Sequence, residues 1–307
     1  MATIWMDGEW HDRDTAKVSV FDHGLLYGDG VFEGIRVYAG KTFRLGDHLD
    51  RLYDCARAVD LAVPVEKAEF GRIIEEAVRR SGLKEAYIRP IITRGVGDLG
   101  IDPRKCERPT LIVIVDAISI WPSERYEQGL SVVTAGTPIP HRESLSPRVK
   151  SLNYLCHAMA KLEANNAGAD EAIMLDSSGH VAEGTGQNVF VVKKAVLRTP
   201  PLSAGILAGI TRQAVIELAI QAGHPVREEL LNRFDIYTAD EAFLTGTASE
   251  IAPIRQYDGR VIGAGRAGPI TRDLMARFHR LVREGTPESR AQNPAPRVPP
   301  EPLVHRS

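Results

Sequence analysis

A chain of 307 residues has room for two domains of ordinary size, and its 43% hydrophobic and 25% charged residues are those of a soluble globular protein. The formal charge of -2 and a pI of about 6.5 leave no basic surplus, which speaks against nucleic acid or an anionic membrane as partner and for a small metabolite. Cys55, Cys106 and Cys156 are far apart with no CxxC spacing, Met1–Trp10 carries Asp7 and Glu9 rather than an apolar run, and no apolar stretch reaches the ~18 residues of a membrane span. The expectation is a cytoplasmic protein without signal peptide, disulfide framework or cysteine metal site.

In chain order, residues 3–45 read as strands and turns, with the apolar run Val31–Tyr38 punctuated by Asp7-Gly8 before it and Gly40-Lys41 after it. Leu49, Leu52, Tyr53 and Ala56 make one stripe of a helix over 47–59, with Asp47 as expected N-cap. A second helix fits Glu66–Ser81, stopped by Gly82, and two strands follow at Ala86–Thr93 and Thr110–Ile118. Ser119–Gln128, with Trp121-Pro122-Ser123 and several charges, reads as a linker between a first domain (1–118) and a second (129–285). The second half opens on a strand at Leu130–Ala135 and a turn-rich stretch with Pro138, Pro140 and Pro147. A helix fits Tyr154–Asn166, and strands fit Glu171–Asp176, Asn188–Val192 and Val196–Thr199. Gly209-Ile210-Thr211 opens a helix running to Ala222, Glu241–Thr245 is a strand, and Pro269–Glu284 a last helix. No steady βαβ rhythm appears, so the expected class is α+β. From 286 to 307 the prolines crowd among polar residues, and a flexible tail is expected.

The chemistry is carried by a few separate motifs. Lys150 stands in Lys150-Ser151-Leu152-Asn153-Tyr154, after a proline-rich turn and before a helix, where a side chain can enter a cleft. An isolated lysine is ordinarily a solvated surface residue. This one has company: Val181-Ala182-Glu183-Gly184-Thr185-Gly186-Gln187-Asn188, then Gly205-Ile206-Leu207-Ala208-Gly209-Ile210-Thr211, then Thr245-Gly246-Thr247-Ala248-Ser249. Their glycines suit close backbone approach to a ligand, and a helix entry offers N–H groups to an anion.

In this order the motifs resemble those of the fold-type IV pyridoxal phosphate enzymes: branched-chain aminotransferases, D-amino acid aminotransferases and aminodeoxychorismate lyases. The likeness spans about residues 3–284. It implies a two-domain α+β fold with pyridoxal 5'-phosphate at the domain interface. Lys150 would hold the cofactor as a Schiff base and act as general base, Glu183 would face the pyridine nitrogen, and Tyr154 the ring hydroxyl. Leu207 would pack on the ring, with Gly186, Gln187 and Asn188 close by. Gly209, Ile210, Thr211, Gly246, Thr247 and, from the first domain, Arg51 would hold the phosphate.

Tyr27-Gly28-Asp29-Gly30-Val31-Phe32-Glu33-Gly34-Ile35-Arg36 and Tyr87-Ile88-Arg89-Pro90 resemble the branched-chain form of the family. Phe32 and Gly34 would line the substrate side-chain pocket. Tyr87, Arg89, Thr247 and Ala248 would receive the carboxylate, and Arg36 would fix that wall. Tyr27, and Ile101 of the 97–101 loop, would reach in from a partner subunit, which implies at least a homodimer. The resemblance implies transamination of L-leucine, L-isoleucine and L-valine with 2-oxoglutarate, in amino-acid biosynthesis. D-amino acid aminotransferases usually carry an Arg-x-His trap, absent after Arg94, where the chain runs Gly95-Val96-Gly97-Asp98-Leu99. A D-amino acid or R-amine aminotransferase, a lyase, or a cofactor-binding protein without catalysis remain the alternatives. A metal hydrolase is disfavoured, because the nine histidines form no HxH or HxxxH pair, and no metal is expected.

Overall fold

The computed structural model describes residues 2–284; the expected tail lies outside the described residues. Among them are a seven-stranded and a nine-stranded sheet. The first sheet holds β1 (Thr3–Met6), β2 (Glu9–His11), β3 (Gly30–Phe32), β4 (Ile35–Tyr38), β5 (Lys41–Thr42), β6 (Ala86–Thr93) and β7 (Thr110–Asp116). Its order is β2-β1-β7-β6-β4-β5, with β3 also pairing β6. The helices of this half are α1 (His23–Tyr27), α2 (Leu45–Ala58) and α3 (Lys67–Ser81). Leu49, Leu52, Phe70, Ile74 and Val78 form the apolar stripes that pack α2 and α3 onto Ile88, Ile92, Val113 and Val115.

The run Val31–Tyr38 proves to be two strands, parted at Glu33 and Gly34. The N-cap of α2 is Arg44 at φ 51°, not Asp47. Arg44 is held in that left-handed conformation while its guanidinium reaches Glu217 of the second half and lies 5.7 Å from the centre of the Phe43 ring. The stretch expected as a linker contains a helix, α4 (Ser123–Gln128), preceded by the buried Trp121.

In the second half follow β8 (Leu130–Thr134), α5 (Leu155–Asn166), β9 (Glu171–Leu175), β10 (Val181–Gly184), β11 (Asn188–Lys193) and β12 (Val196–Thr199). After them come α6 (Ile210–Gln221), β13 (Val226–Glu228), α7 (Arg233–Tyr237), β14 (Glu241–Gly246), β15 (Glu250–Tyr257), β16 (Arg260–Val261) and α8 (Pro269–Glu284). The path β10-β9-β8-β15-β14-β11 closes on itself, because β10 also pairs β11. The closing contact is Glu183 opposite Asn188. Leu130, Val132, Ile173, Val189, Leu244 and Ile254 fill one face of this sheet, while α6 and α8 cover Phe190, Phe243 and Ile251 on another. No helix among the described residues is long and apolar enough to cross a membrane.

Candidate active site

A cleft opens between the first sheet and the closing seam of the second. Its walls include Phe32, Gly34, Arg51, Tyr87 and Arg89 from the first half, and Lys150, Tyr154, Glu183, Leu207, Gly209 and Thr247 from the second.

Lys150 lies in irregular chain that is nevertheless fixed. Phe32 N donates to Lys150 O at 3.0 Å and Leu152 N to Gly30 O at 2.9 Å, so the segment runs beside β3. Lys150 N itself donates to Cys55 Sγ at 3.2 Å. The side chain is half-buried, its Nζ donating to the Tyr154 hydroxyl at 3.0 Å and lying 4.6 Å from the centre of the Phe32 ring. Burial pulls the amine below its ordinary pKa; Glu33 opposes this, while Arg51 and Arg89 reinforce it. A neutral lysine amine is a nucleophile and a base. Burial likewise drives the Tyr154 phenol upward, with Glu183 adding to the effect, so it stays protonated.

Glu183 is buried at the seam. Its Oε2 accepts from Asn188 Nδ2 at 3.2 Å and from Leu207 N at 3.0 Å. Its Oε1 lies 3.9 Å from His157 Nε2. The Asn188 amide also donates to Leu207 O at 3.0 Å, which ties β11 to the loop entering α6. The carboxylate is therefore aimed by two donors and by the strand pairing behind it.

An anion cradle lies at the other end of the cleft. The N-cap of α6 is Gly209, with no side-chain cap bond among the described residues, so its first-turn N–H groups remain available to a ligand. A Cβ at Gly209 would stand 2.0 Å from Asn188 Oδ1, so only glycine fits there. Ile210, Thr211, Gly246, Thr247 and Ala248 line the same region. The hydroxyls of Thr245 and Ser249 are buried with no hydrogen-bond partner among the described residues. Unpaired buried hydroxyls, an uncapped helix start and a guanidinium form a donor set that fits a phosphate. Arg51 supplies the guanidinium, and its three hydrogen bonds among the described residues go to Glu33 and Ala208. Nε and Nη2 donate to Glu33 at 2.6 and 2.9 Å, and Nη1 to Ala208 O at 2.5 Å.

The first-half wall is apolar with a polar edge. Arg89 Nη2 donates to the Tyr87 hydroxyl at 3.2 Å, and its guanidinium carbon lies 4.7 Å from the Phe32 ring centre. Gly34 leaves the space that the Tyr87 hydroxyl fills: an added Cβ would come within 1.8 Å of it. Arg36 stands apart from the lining residues and pairs with Glu250 at 3.7 Å, beside the Tyr38 hydroxyl that donates to the same carboxylate at 2.9 Å. Tyr27 and Ile101 do not line the cleft within one chain. Tyr27 donates to Leu99 O at 2.5 Å, and Ile101 is 79% exposed. Gly186 and Gln187 line the cleft, with Gly186 N donating to Gln187 Oε1 at 3.1 Å.

Sequence reasoning passed over several residues of the cleft. Ile118 and Ile120 add apolar wall from the stretch after β7, and Thr185, Thr245 and Ser249 lie within the motifs singled out but carry no assigned role there. His157 stacks on Tyr154 with ring centres 4.3 Å apart. Its spacing of three residues from Tyr154 on a helix was a usable signal. Glu33 and His48 were passed over as well, and contact between residues distant in sequence gave no signal for them.

The profile of the family described as Amino-transferase class IV matches residues 30–257. A relative from Methanocaldococcus jannaschii is 51% identical over 275 residues, covering 90% of this chain and 94% of the relative. The branched-chain-amino-acid aminotransferase of Pseudomonas aeruginosa is 40% identical, covering 94% of this chain and 95% of its own length. Among solved structures, the Escherichia coli branched-chain amino acid aminotransferase superposes with a TM-score of 0.89 at 36% identity, covering 92% of this chain and 95% of that one. The branched-chain amino acid aminotransferase of Thermobaculum terrenum, in its PLP-form, gives 0.85 at 31% identity, covering 94% and 96%. With a family match over most of its length and relatives well above 30% identity across it, this chain belongs to the class IV aminotransferases.

Proposed function

We infer that the chain transaminates branched-chain L-amino acids with 2-oxoglutarate, using pyridoxal 5'-phosphate and yielding the 2-oxo acids and L-glutamate. The observation that carries this reading is the Lys150 amine in one cleft with a carboxylate at Glu183, an anion cradle at Gly209–Thr211 and an apolar wall of Phe32, Ile118 and Ile120. Relatives and fold neighbours named branched-chain aminotransferases support it.

When bound, the cofactor supplies a ring that withdraws electrons from the substrate's Cα. The rest falls to this chain's residues. Arg51, the start of α6 and Thr247 hold the phosphate. Glu183 keeps a proton on the ring nitrogen, and Asn188 and Leu207 N keep Glu183 aimed. Tyr154 orients the ring hydroxyl while Leu207 packs on the ring. Lys150 would anchor the cofactor, and its amine would serve as the base that takes the proton from the substrate's Cα. Tyr87, Arg89 and the Thr247–Ala248 turn receive the carboxylate, and the isoleucines with Phe32 exclude water around the side chain.

In this reading residues 1–118 are the substrate-facing domain, joined through 119–128 to the cofactor-binding domain 129–285. Tyr27 and Ile101, exposed in one chain, serve the cleft of a second copy in a cytoplasmic homodimer.

The test is a rapid-mixing panel of L-leucine, L-isoleucine, L-valine, D-alanine and an R-amine, read as the change in cofactor absorbance. L-leucine is expected to react fastest; a faster D-alanine or R-amine sinks the substrate assignment. Borohydride treatment of the loaded chain is expected to label the peptide containing Lys150, and a label on another lysine would overturn the site.

A further inference from the structure

We propose that Glu33 is a positioning residue for the cofactor's phosphate: it holds Arg51 in the one orientation from which the guanidinium serves both the cleft and the entry to α6. The proposal rests on the pyridoxal phosphate reading given above.

Glu33 is fully buried between β3 and β4, where a lone carboxylate is costly. Two of its four side-chain hydrogen bonds among the described residues are to Arg51. Its two oxygens take Arg51 Nε at 2.6 Å and Nη2 at 2.9 Å, a bidentate fork that fixes the guanidinium plane. Oε2 also receives His48 Nδ1 at 2.8 Å and Gly34 N at 3.1 Å. Burial pushes this carboxyl upward, but Arg51 and His48 outweigh it, so Glu33 stays ionised. Arg51 Nη1 then reaches Ala208 O at 2.5 Å, on the residue before the N-cap of α6. Each terminal nitrogen of Arg51 has a second N–H beyond the one so engaged, and Arg51 lines the cleft.

An anion placed close to an anion site looks adverse by charge alone. Its geometry resolves this. Arg51 and Arg89 already bring positive charge to the cleft, and what an arginine on a helix surface lacks is a fixed direction. Glu33 supplies that direction from the first domain, while Ala208 O supplies it from the second. The donors for phosphate are thereby assembled across the interface before any ligand arrives, which lowers the ordering cost of binding.

The experiment compares pyridoxal phosphate with pyridoxal, which lacks the phosphate, binding to the full chain after the cofactor has been stripped. Affinities are read by tryptophan fluorescence and cofactor absorbance. The wild type is expected to prefer the phosphorylated form strongly; if it shows no such preference, the cofactor reading itself fails. In Glu33→Gln that preference is expected to fall by about tenfold or more, with pyridoxal affinity changed less than about twofold. A Glu33→Gln chain that keeps the wild-type preference, or loses affinity for both compounds alike, overturns the proposal. If Glu33→Gln does not fold, Glu33→Asp decides, because it keeps the charge but withdraws the carboxylate by one methylene. A wild-type preference in that variant overturns the proposal equally.

Discussion

Lys150 Nζ and the Tyr154 hydroxyl oxygen stand 3.0 Å apart, and the ring bearing that hydroxyl is clamped from two sides. His157 stacks on it at 4.3 Å, and Phe32 meets it edge-on at 4.9 Å. Tyr154→Phe keeps the clamp and removes only the oxygen. The expected result is a kcat lower by about tenfold with a Tm shifted by no more than about 3 °C. Steady-state kinetics beside a thermal melt checks it; an unchanged kcat would detach Tyr154 from the chemistry.

A pH-dependent stability difference is expected at Lys150. Burial holds its folded-state pKa below 10.5, the value taken for a free lysine. Between those two values the unfolded chain binds more protons than the folded one, so folding stability rises with pH through that interval. Below the interval the penalty is fully present. Lys150→Met has no charge to bury, so the cofactor-free variant should be more stable than wild type at pH 7. The gap should close as pH approaches 10.5. Urea unfolding at both pH values measures it, and a variant less stable at pH 7 would contradict it.

At Glu183 the geometry separates shape from charge. Both partners of Oε2, Asn188 Nδ2 and Leu207 N, are donors. A glutamine oxygen can accept both, which leaves its amide nitrogen in place of Oε1. Glu183→Gln should therefore fold and retain cofactor, while kcat falls by about 10²–10³-fold for want of a charge on the ring nitrogen. Half-reaction rates with L-leucine test this, and a near-wild-type rate would remove Glu183 from its role.

Gly34→Ala is expected to act through Tyr87. The new Cβ would meet the Tyr87 hydroxyl at 1.8 Å, and Arg89 hydrogen-bonds that same hydroxyl. Displacing both residues should raise KM for the amino acid more than it lowers kcat, with about 1–3 kcal/mol of stability lost to overpacking. Equal KM values in variant and wild type would show that this wall is not where the carboxylate is received.

The parts of the site that could be read in sequence were those held in short runs: a lysine four residues before a tyrosine, a glutamate among glycines, a glycine ahead of a helix. Residues whose partners are remote in sequence stayed silent. The meaning of Glu33 depends on Arg51 and His48, both on α2, and that of Arg36 depends on Glu250. The strand β15 was also missed, for a different reason. Pro253 sits within it, opposite Phe243, and proline ordinarily argues against an interior strand. The neighbouring β8 pairs with β15 only from Ile254 onward, so it asks no hydrogen bond of Pro253. The start of α2 was misplaced because Arg44, rather than an acidic cap, turns the chain there.

The backbone around Lys150 decides which sheet positions the base. By position in the chain Lys150 belongs to the second half, yet its carbonyl and the Leu152 N–H are stitched to β3 of the first sheet. Glu183 and the start of α6 belong to the other sheet. Lys150 is therefore registered by its backbone to the sheet that carries Phe32, Tyr87 and Arg89, not to the one that carries Glu183. The base and the substrate wall thus take their alignment from one sheet, and the carboxylate at Glu183 takes its alignment from the other.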